Sequence, residues 1–291
     1  MFLQAFISGF ISGSVYALIA LSLVIIFKTS EVPNFAQGEL FMFGAYMGLL
    51  FYAYLGLPYF LVYLIAIVIA FILGVLFQKL ALAPIVKAKA SIISLVIATL
   101  GLSILIKGGI RLFKASETFR SFPPIFGTKP IILQGIVLTP QGIVILITSL
   151  VIMGVLFVFF GFTKLGKAMS AVSMNAKAAS LMGINVKRIY SLIWGIAAAL
   201  GAAAGIMIAP VILIHPDMGS IVIKAFAAGI IGGFTSLPGA LVGGILIGII
   251  ENLVGVYIAS TVVPVTPFLL IMIILVIRPG GLFTAFVQKK V

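Results

Sequence analysis

Long apolar runs separated by short polar or Gly- and Pro-containing segments follow one another along the whole chain. A membrane-spanning helix needs about 20 mostly apolar residues. Candidate spans lie at about 3–27, 38–56, 58–79, 91–110, 141–163, 190–214, 220–234, 239–259 and 264–278. The seventh is short and bounded by Gly and Pro, which indicates a half-helix or one part of a broken pair. The pattern predicts an all-α polytopic membrane protein, a bundle of eight or nine transmembrane helices in a single domain across residues 1–291.

Composition supports the membrane prediction. Hydrophobic residues make up 63% of the chain and charged residues 8%, whereas a soluble domain has about 45–50% and 25%. The excess of 18 Lys and Arg over 5 acids is explained by basic loops on the cytoplasmic side. Aromatic residues are dispersed through apolar runs, so no nucleic-acid surface is predicted. The absence of cysteine excludes disulfides and thiolate metal sites, and the N-terminus lacks a cleavage signal, which favours a retained first span.

The basic loops predict an orientation. The segments 79–90 and 164–188 contain basic residues and no acid, and the tail ends with Lys289 and Lys290, so these regions and the C-terminus are expected in the cytoplasm. Counting back through nine spans places the N-terminus and the loop of about 111–140 outside. Residues 107–140 carry five basic residues against Glu117, which conflicts with the charge rule. We keep the count, because two flanking basic loops would otherwise change sides.

Two further patterns concern local structure. Residues 131–138 form two short β-rich runs around Gly135, which predicts a small hairpin in the outer loop. That loop is a lid, a docking surface or an ordinary connector. Small residues recur at four-residue spacing and predict close helix packing; these pairs are Gly9 and Gly13, Gly201 and Gly205, Gly239 and Gly243, and Gly244 and Gly248.

The segment 161–168 has the Gly, four residues, Gly, Lys spacing of a phosphate-binding loop. Such a loop needs Ser or Thr next, to hold Mg²⁺, and Ala168 stands there. The segment also follows an apolar span rather than a β-strand. We therefore expect no nucleotide site in this chain, and any ATP would be hydrolysed by another subunit.

Residues 164–188 are too polar to span a membrane. A short helix over 167–182 is predicted, with Gly183 as its C′ residue and Asn185 as the N-cap of the next span. Its small residues and basic flanks suit either a docking surface for a partner or a helix lying among anionic headgroups.

The run GKAMSAVSMNAKAASLMGINVKRIYSLIWGIAAALGAAAGIM at 166–207 resembles the coupling loop and following span of the LivH-type permeases of branched-chain amino acid ABC importers. Segments 13–48, 224–252 and 277–283 are similar to other blocks of that family, in the same order, and 120–124 is similar to its outer loop. The matching loop residues are Gly166, Lys167, Ala168, Ala178, Ala179, Leu181, Gly183, Ile184 and Asn185.

The resemblance implies a transport subunit without catalytic residues, metal or cofactor, in the bacterial or archaeal inner membrane. Its expected partners are two ATP-binding-cassette ATPases, a second homologous permease or another copy of itself, and an extracytoplasmic solute-binding protein. The ATPase-coupling residues would be Gly166, Lys167, Ala168, Ala178, Leu181, Gly183 and Asn185. The expected substrates are branched-chain amino acids, delivered by the binding protein. Similar permeases carry urea, short amides or other amino acids, and these remain the alternative substrates. A secondary transporter is the other alternative, although five acids leave few candidate ion sites. An intramembrane enzyme is less favoured, because no metal motif or nucleophile–base pair is visible.

Polar residues inside apolar runs are candidates for the translocation pathway, because charges in the membrane are costly. Asn34 at the N-cap and Gln37 at N3 have capping-box spacing, and Glu39 would lie in the first turn, where the helix dipole favours an anion. The same cluster could instead face the pathway. Glu251 is either a pathway residue or an interfacial one, and His215 with Asp217 is expected to form an exposed turn.

Overall fold

The computed structural model describes residues 1–112, 118–127, 129–133 and 136–283. Its helices are α1 (Phe2–Ser30), α2 (Gln37–Leu49), α3 (Tyr59–Phe77), α4 (Ala83–Lys87), α5 (Ile92–Arg111), α6 (Pro140–Phe162), α7 (Lys164–Met174), α8 (Ala176–Leu181), α9 (Val186–Ile208), α10 (Val222–Gly232), α11 (Leu237–Tyr257) and α12 (Thr266–Ile277). One π-helical turn, Leu50–Tyr54, follows α2, and another, Gln78–Leu82, joins α3 to α4. Short 3₁₀ turns lie at Met218–Ile221 and Ser260–Val262. The two strands are β1 (Ile131–Leu133) and β2 (Ile136–Leu138).

Six helices of the described part are long and apolar enough to cross a membrane, and two shorter apolar ones are Met218–Gly232 and Thr266–Ile277. The second predicted span is occupied by α2 and its π-helical turn. The all-α polytopic membrane fold predicted from the sequence is therefore confirmed.

The bundle has two distinct ends. At the first, the predicted hairpin is present, with Ile131 paired to Leu138 and Leu133 to Ile136. Gln4, near the start of α1, ties this end together: its Nε2 donates to the Val137 carbonyl at 2.9 Å, and its Oε1 accepts from the Val137 N–H at 2.8 Å. We call this the hairpin end. Gln134 and Gly135 lie outside the described residues, as do Glu117 and the tail lysines Lys289 and Lys290.

The opposite end carries α7 and α8, and we call it the α7–α8 end. There Met169 and Val172 of α7 are buried against Ile26 of α1 and Ile189 of α9. The π-helical turn after α3 lies at the same end, because Ser191 of α9 donates a hydrogen bond to Gln78 Oε1. The two basic loops therefore share one end, and the outer loop lies at the other, as the span count requires.

Glycines let the central helices touch backbone to backbone. A Cβ on Gly9 of α1 would lie 2.6 Å from the Ile249 Cα of α11, and one on Gly13 would lie 2.8 Å from the Ile245 Cα. Real Cβ atoms do not approach other atoms so closely, so α1 and α11 can pack in this way only with glycine there. The predicted packing role of the small residues is confirmed at this interface.

Two helices begin inside the bundle. Residues 31–36 turn back from the α7–α8 end, and the Gln37 side chain at the start of α2 donates to the Ala197 carbonyl at 2.9 Å. Ala197 is midway along α9, so α2 starts at mid-depth. The 3₁₀ turn before α10 meets it there, since a Cβ on Gly219 would lie 2.8 Å from the Gly38 carbonyl oxygen. The half-helix prediction is confirmed for α10, but the second predicted span is also a half-helix preceded by a re-entrant loop.

Candidate functional site

The first turn of α7 anchors the α7–α8 pair to the bundle. Thr163 Oγ1 accepts a hydrogen bond from the Gly166 N–H at 3.0 Å, which caps α7. Gly166 packs on the end of α6, where a Cβ would lie 2.6 Å from the Phe160 Cα. Because no larger residue fits, Gly166 lets the chain turn sharply out of α6 into α7.

The single helix predicted over 167–182 is wrong, because the chain breaks at Asn175. This residue has extended backbone (φ −159°, ψ 100°), and its Oδ1 accepts from the Ala178 N–H at 2.9 Å. An Asn side chain that caps a new helix competes with continuation of the old one. The predicted helix end and restart are confirmed: Gly183 has φ 83°, and Asn185 Oδ1 accepts from the Arg188 N–H at 3.1 Å.

Large apolar side chains project from the C-terminal ends of α7 and α8. Met174, Leu181 and Met182 are 86%, 82% and 83% exposed, and we call them the apex patch. Leu181 is among the predicted coupling residues, whereas Met174 and Met182 are not. Apolar residues within a segment too polar to span a membrane are the sequence signal that could have identified them. Exposed apolar patches with polar surroundings mark interaction sites, so this end of the molecule is a candidate docking surface, for a protein partner or for the headgroup region of a membrane.

The predicted coupling residues divide between anchoring and exposed positions. Gly166 is buried and Ala168 is half-buried, so these two face the bundle. The exposed ones are Lys167, Ala178, Leu181, Gly183 and Asn185.

At mid-depth, Asn34 and Gln37 are fully buried and bonded to each other. Asn34 Nδ2 donates to Gln37 Oε1 at 2.9 Å, and Asn34 Oδ1 accepts from the Ala36 N–H at 3.1 Å. The predicted N-cap is wrong, because Ala36 occupies that position and has no capping side chain. Asn34 instead forms a turn two residues ahead, which sets Gln37 against Ala197. The amide groups of both residues hold the loop in place.

Glu39 lies in the first turn of α2, as predicted. It is half-buried, and no hydrogen bond or ion pair reaches its carboxylate within the described residues. Nearby Phe35 is 40% exposed and stacks on Phe226 of α10, with 5.5 Å between the ring centroids. Of the two glutamates proposed for the pathway, Glu251 is paired with Lys224, whereas Glu39 has no ionic partner among the described residues.

Glu251 is 3% exposed and paired, so its carboxylate lies inside the bundle. Lys224 Nζ of α10 lies 2.5 Å from its Oε1, and the Tyr16 hydroxyl of α1 donates to its Oε2 at 2.9 Å. Among the described residues no donor is aligned for a hydrogen bond to Oε1, so Lys224 stabilises this oxygen through the attraction of opposite charges. Lys224 also lies 5.3 Å from the centre of the Tyr16 ring. Tyr16 and Lys224 were not predicted from the sequence, although Lys224 is the one charge in the run 220–234.

The turn after α9 lies at the hairpin end. Asp217 pairs with Lys107 at 2.5 Å and with Arg111 at 3.8 Å. The hydrogen bond from Lys107, with the charges of Lys107 and Arg111, holds the pKa of Asp217 below its usual value. Asp217 is exposed and His215 is half-exposed, and the pairing makes this turn a surface contact between α5 and the α9–α10 connection.

These features define a class: an α-helical multi-pass membrane protein in which discontinuous helices meet at mid-depth, as they do in transporters. A family model described as the branched-chain amino acid transport system permease component matches residues 5–277. The chain belongs to this family.

Relatives from bacteria and archaea cover most of the chain. The high-affinity branched-chain amino acid transport system permease protein LivH of Escherichia coli K12 is 31% identical over 97% of this chain and 95% of its own length. The probable branched-chain amino acid transport permease protein LivH of Methanocaldococcus jannaschii is 33% identical over 86% of this chain and 80% of its own. In the solved structure of PsaBC from Streptococcus pneumoniae in complex with Fab, one chain has a TM-score of 0.50 at 15% identity, covering 93% of this chain and 89% of that one. This likeness shows a common fold.

Proposed function

We propose that this chain is the membrane-spanning subunit of an ATP-binding-cassette importer for branched-chain amino acids. Its hairpin end faces the outside, where a solute-binding protein delivers the amino acid. Its α7–α8 end and C-terminal tail lie in the cytoplasm, where two ATPase subunits dock. A second homologous permease, or another copy of this chain, completes the pathway. In this proposal the ATPase subunits hydrolyse ATP, and this chain moves the amino acid.

One observation carries this proposal. The apex patch, Met174, Leu181 and Met182, exposes three large apolar side chains outside the bundle, on helices that α1 and α9 hold in place. A solvated loop gains nothing from such side chains, whereas a protein partner would bury them. Family membership supports an ATPase as this partner.

The packing of α9 offers a route from the docking surface to the pathway. The start of α9 adjoins α8, and its midpoint, Ala197, accepts the hydrogen bond from Gln37. Movement of α7 and α8 on ATP binding would therefore shift the mid-depth loop that begins α2. Energetic coupling of this kind needs a packed element with two arrangements, and α9 with the re-entrant loop is our candidate.

The mid-depth site suits an amino acid. The first N–H groups of a helix favour a carboxylate, and the starts of α2 and α10 meet at Gly38 and Gly219. Glu39 has no partner for its carboxylate among the described residues and is available for the ammonium group, and Phe35 offers a partly exposed ring for an apolar side chain. In this proposal Asn34 and Gln37 act indirectly, by holding the start of α2, and Glu251 holds α10.

The test is uptake by the reconstituted complex in proteoliposomes. We expect leucine uptake that requires ATP and the binding protein, and we expect Leu181→Asp to abolish both uptake and ATPase co-purification. Leu112→Asp is the matched control, because Leu112 is 85% exposed but lies beyond α5 at the hairpin end. Uptake driven by an ion gradient without ATPase would favour a secondary transporter, and uptake of urea or amides instead of leucine would overturn the substrate assignment.

A further inference from the structure

An apolar cavity of about 360 Å³ lies between α1, α6 and α11, in the half of the bundle near the α7–α8 end. It is separate from the mid-depth site and the apex patch. Its wall includes Phe157, which is 67% exposed, so the cavity adjoins the outer surface of the bundle. The lining residues are Leu21, Ile25, Met153, Leu156, Phe157, Phe160, Gly161, Leu237, Pro238 and Leu241.

A small polar recess continues this cavity toward the α7–α8 end. The two spaces share Ile25, Phe160 and Leu237. The recess adds Lys28 and Thr29 of α1 with Ser170 and Ser173 of α7. Lys28 has no acidic partner among the described residues, so its ammonium is available in a recess that adjoins the apolar cavity.

We propose that this site binds an anionic phospholipid, with one acyl chain in the cavity and the phosphate at Lys28. The volume falls within the range of about 300–1,000 Å³ that is usual for small-molecule sites. An apolar cavity beside a cation matches an amphiphile with an anionic head. A free amino acid fits poorly, because the apolar part offers no partner for its ammonium group. The leaflet at this end would supply anionic headgroups if it is the cytoplasmic one.

Bound lipid would bridge α1, α6 and α7. Its chain would fill the space between α1 and α6, and its phosphate would sit beside Ser170 and Ser173 of α7. The lipid would thus stabilise the position of α7, the helix that leads to the apex patch. This inference rests on the membrane location of the chain and not on its transport substrate.

Native mass spectrometry of the purified chain, after exchange into a delipidating detergent, tests the proposal with phosphatidylglycerol and phosphatidylcholine as probes. We expect one phosphatidylglycerol to stay bound per chain. Gly161→Leu should abolish this retention, since its side chain enters open space at the cavity wall. Gly154→Leu is the matched control, because that position on α6 is equally open but lies outside the cavity, and it should retain lipid normally.

A second experiment tests whether Lys28 binds the lipid headgroup. Lys28→Gln should weaken phosphatidylglycerol binding about fivefold, the effect expected of one basic residue near an anionic headgroup, and should leave phosphatidylcholine unchanged. Equal retention by Gly161→Leu and Gly154→Leu would overturn the site. Equal binding of both lipids, insensitive to Lys28→Gln, would overturn the anionic specificity. Because the chain has no cysteine, Gly161→Cys provides a final check: disulfide cross-linking between copies would show that a second chain, rather than lipid, covers the cavity.

Discussion

Removing Lys224 should destabilise the protein through the charge it leaves behind. Lys224→Met strands the carboxylate of Glu251, which is 3% exposed, with the Tyr16 hydroxyl as its remaining partner among the described residues. Breaking a buried ion pair by removing one member costs about 3–5 kcal/mol. The Lys224 side chain is 29% exposed, so the pair is not fully desolvated, and we expect about 3 kcal/mol in the free energy of unfolding.

The double variant Glu251→Gln/Lys224→Met should recover most of this loss. Replacing both members of a buried pair by neutral groups is often close to neutral, so the stability should return to within about 1 kcal/mol of the original protein. A double-mutant cycle with Glu251→Gln alone then isolates the coupling between the two charges. The measurement is reversible unfolding of the purified protein by SDS in mixed micelles, followed through the fluorescence of Trp194.

The pair Lys107–Asp217 is the matched control. Its N–O distance is also 2.5 Å, but its side chains are 32% and 64% exposed. Exposed pairs contribute about 0–1 kcal/mol, so Lys107→Met should have a small effect. If the two Lys→Met variants lose equal stability, or if the double variant is no better than Lys224→Met, burial of the Glu251 charge is not the cause.

Three further predictions address other parts of the molecule. Glu39→Gln should fold normally yet lose uptake in proteoliposomes; normal uptake would leave Glu39 only a role at the helix start. Gly13→Leu should cost about 1–3 kcal/mol or more through overpacking in the same unfolding assay, whereas Gly101→Leu on α5, which meets no atom within 4 Å, should cost little. The lowered pKa of Asp217 means that its ion pair stabilises above the unfolded value of about 3.9 and is lost as pH falls through the folded value. Asp217→Asn should therefore reduce the acid dependence of stability, and an unchanged dependence would contradict this role.

Sequence reasoning was most successful where the cause is local. Apolar runs marked the helices, because hydration of the side chains decides which segments enter a membrane. Gly183 and Asn185 marked the end of one helix and the start of the next, because glycine tolerates positive φ and an Asn oxygen pairs with N–H groups three residues ahead. The break at Asn175 had the same local cause and was missed because the Ala-rich residues around it favour a continuous helix.

The depth of the helix starts and the partners of the buried charges depended on the tertiary structure. The polar residues Asn34, Gln37 and Glu39 predicted the start of a helix. The position of this helix start at mid-depth depends on the hydrogen bond from Gln37 to Ala197, 160 residues away. Glu251 was visible as a charge in an apolar run, whereas its neutralisation depends on Tyr16 and Lys224 from two other helices. Hydropathy and capping depend on residues that are close in the chain, so the amino-acid sequence alone predicts the helices, their ends and which loops share a side. Which faces meet, and at what depth, follows from the close glycine contacts of the packed bundle. These contacts bring Glu251 against Lys224, whereas Glu39 meets no ionic partner among the described residues.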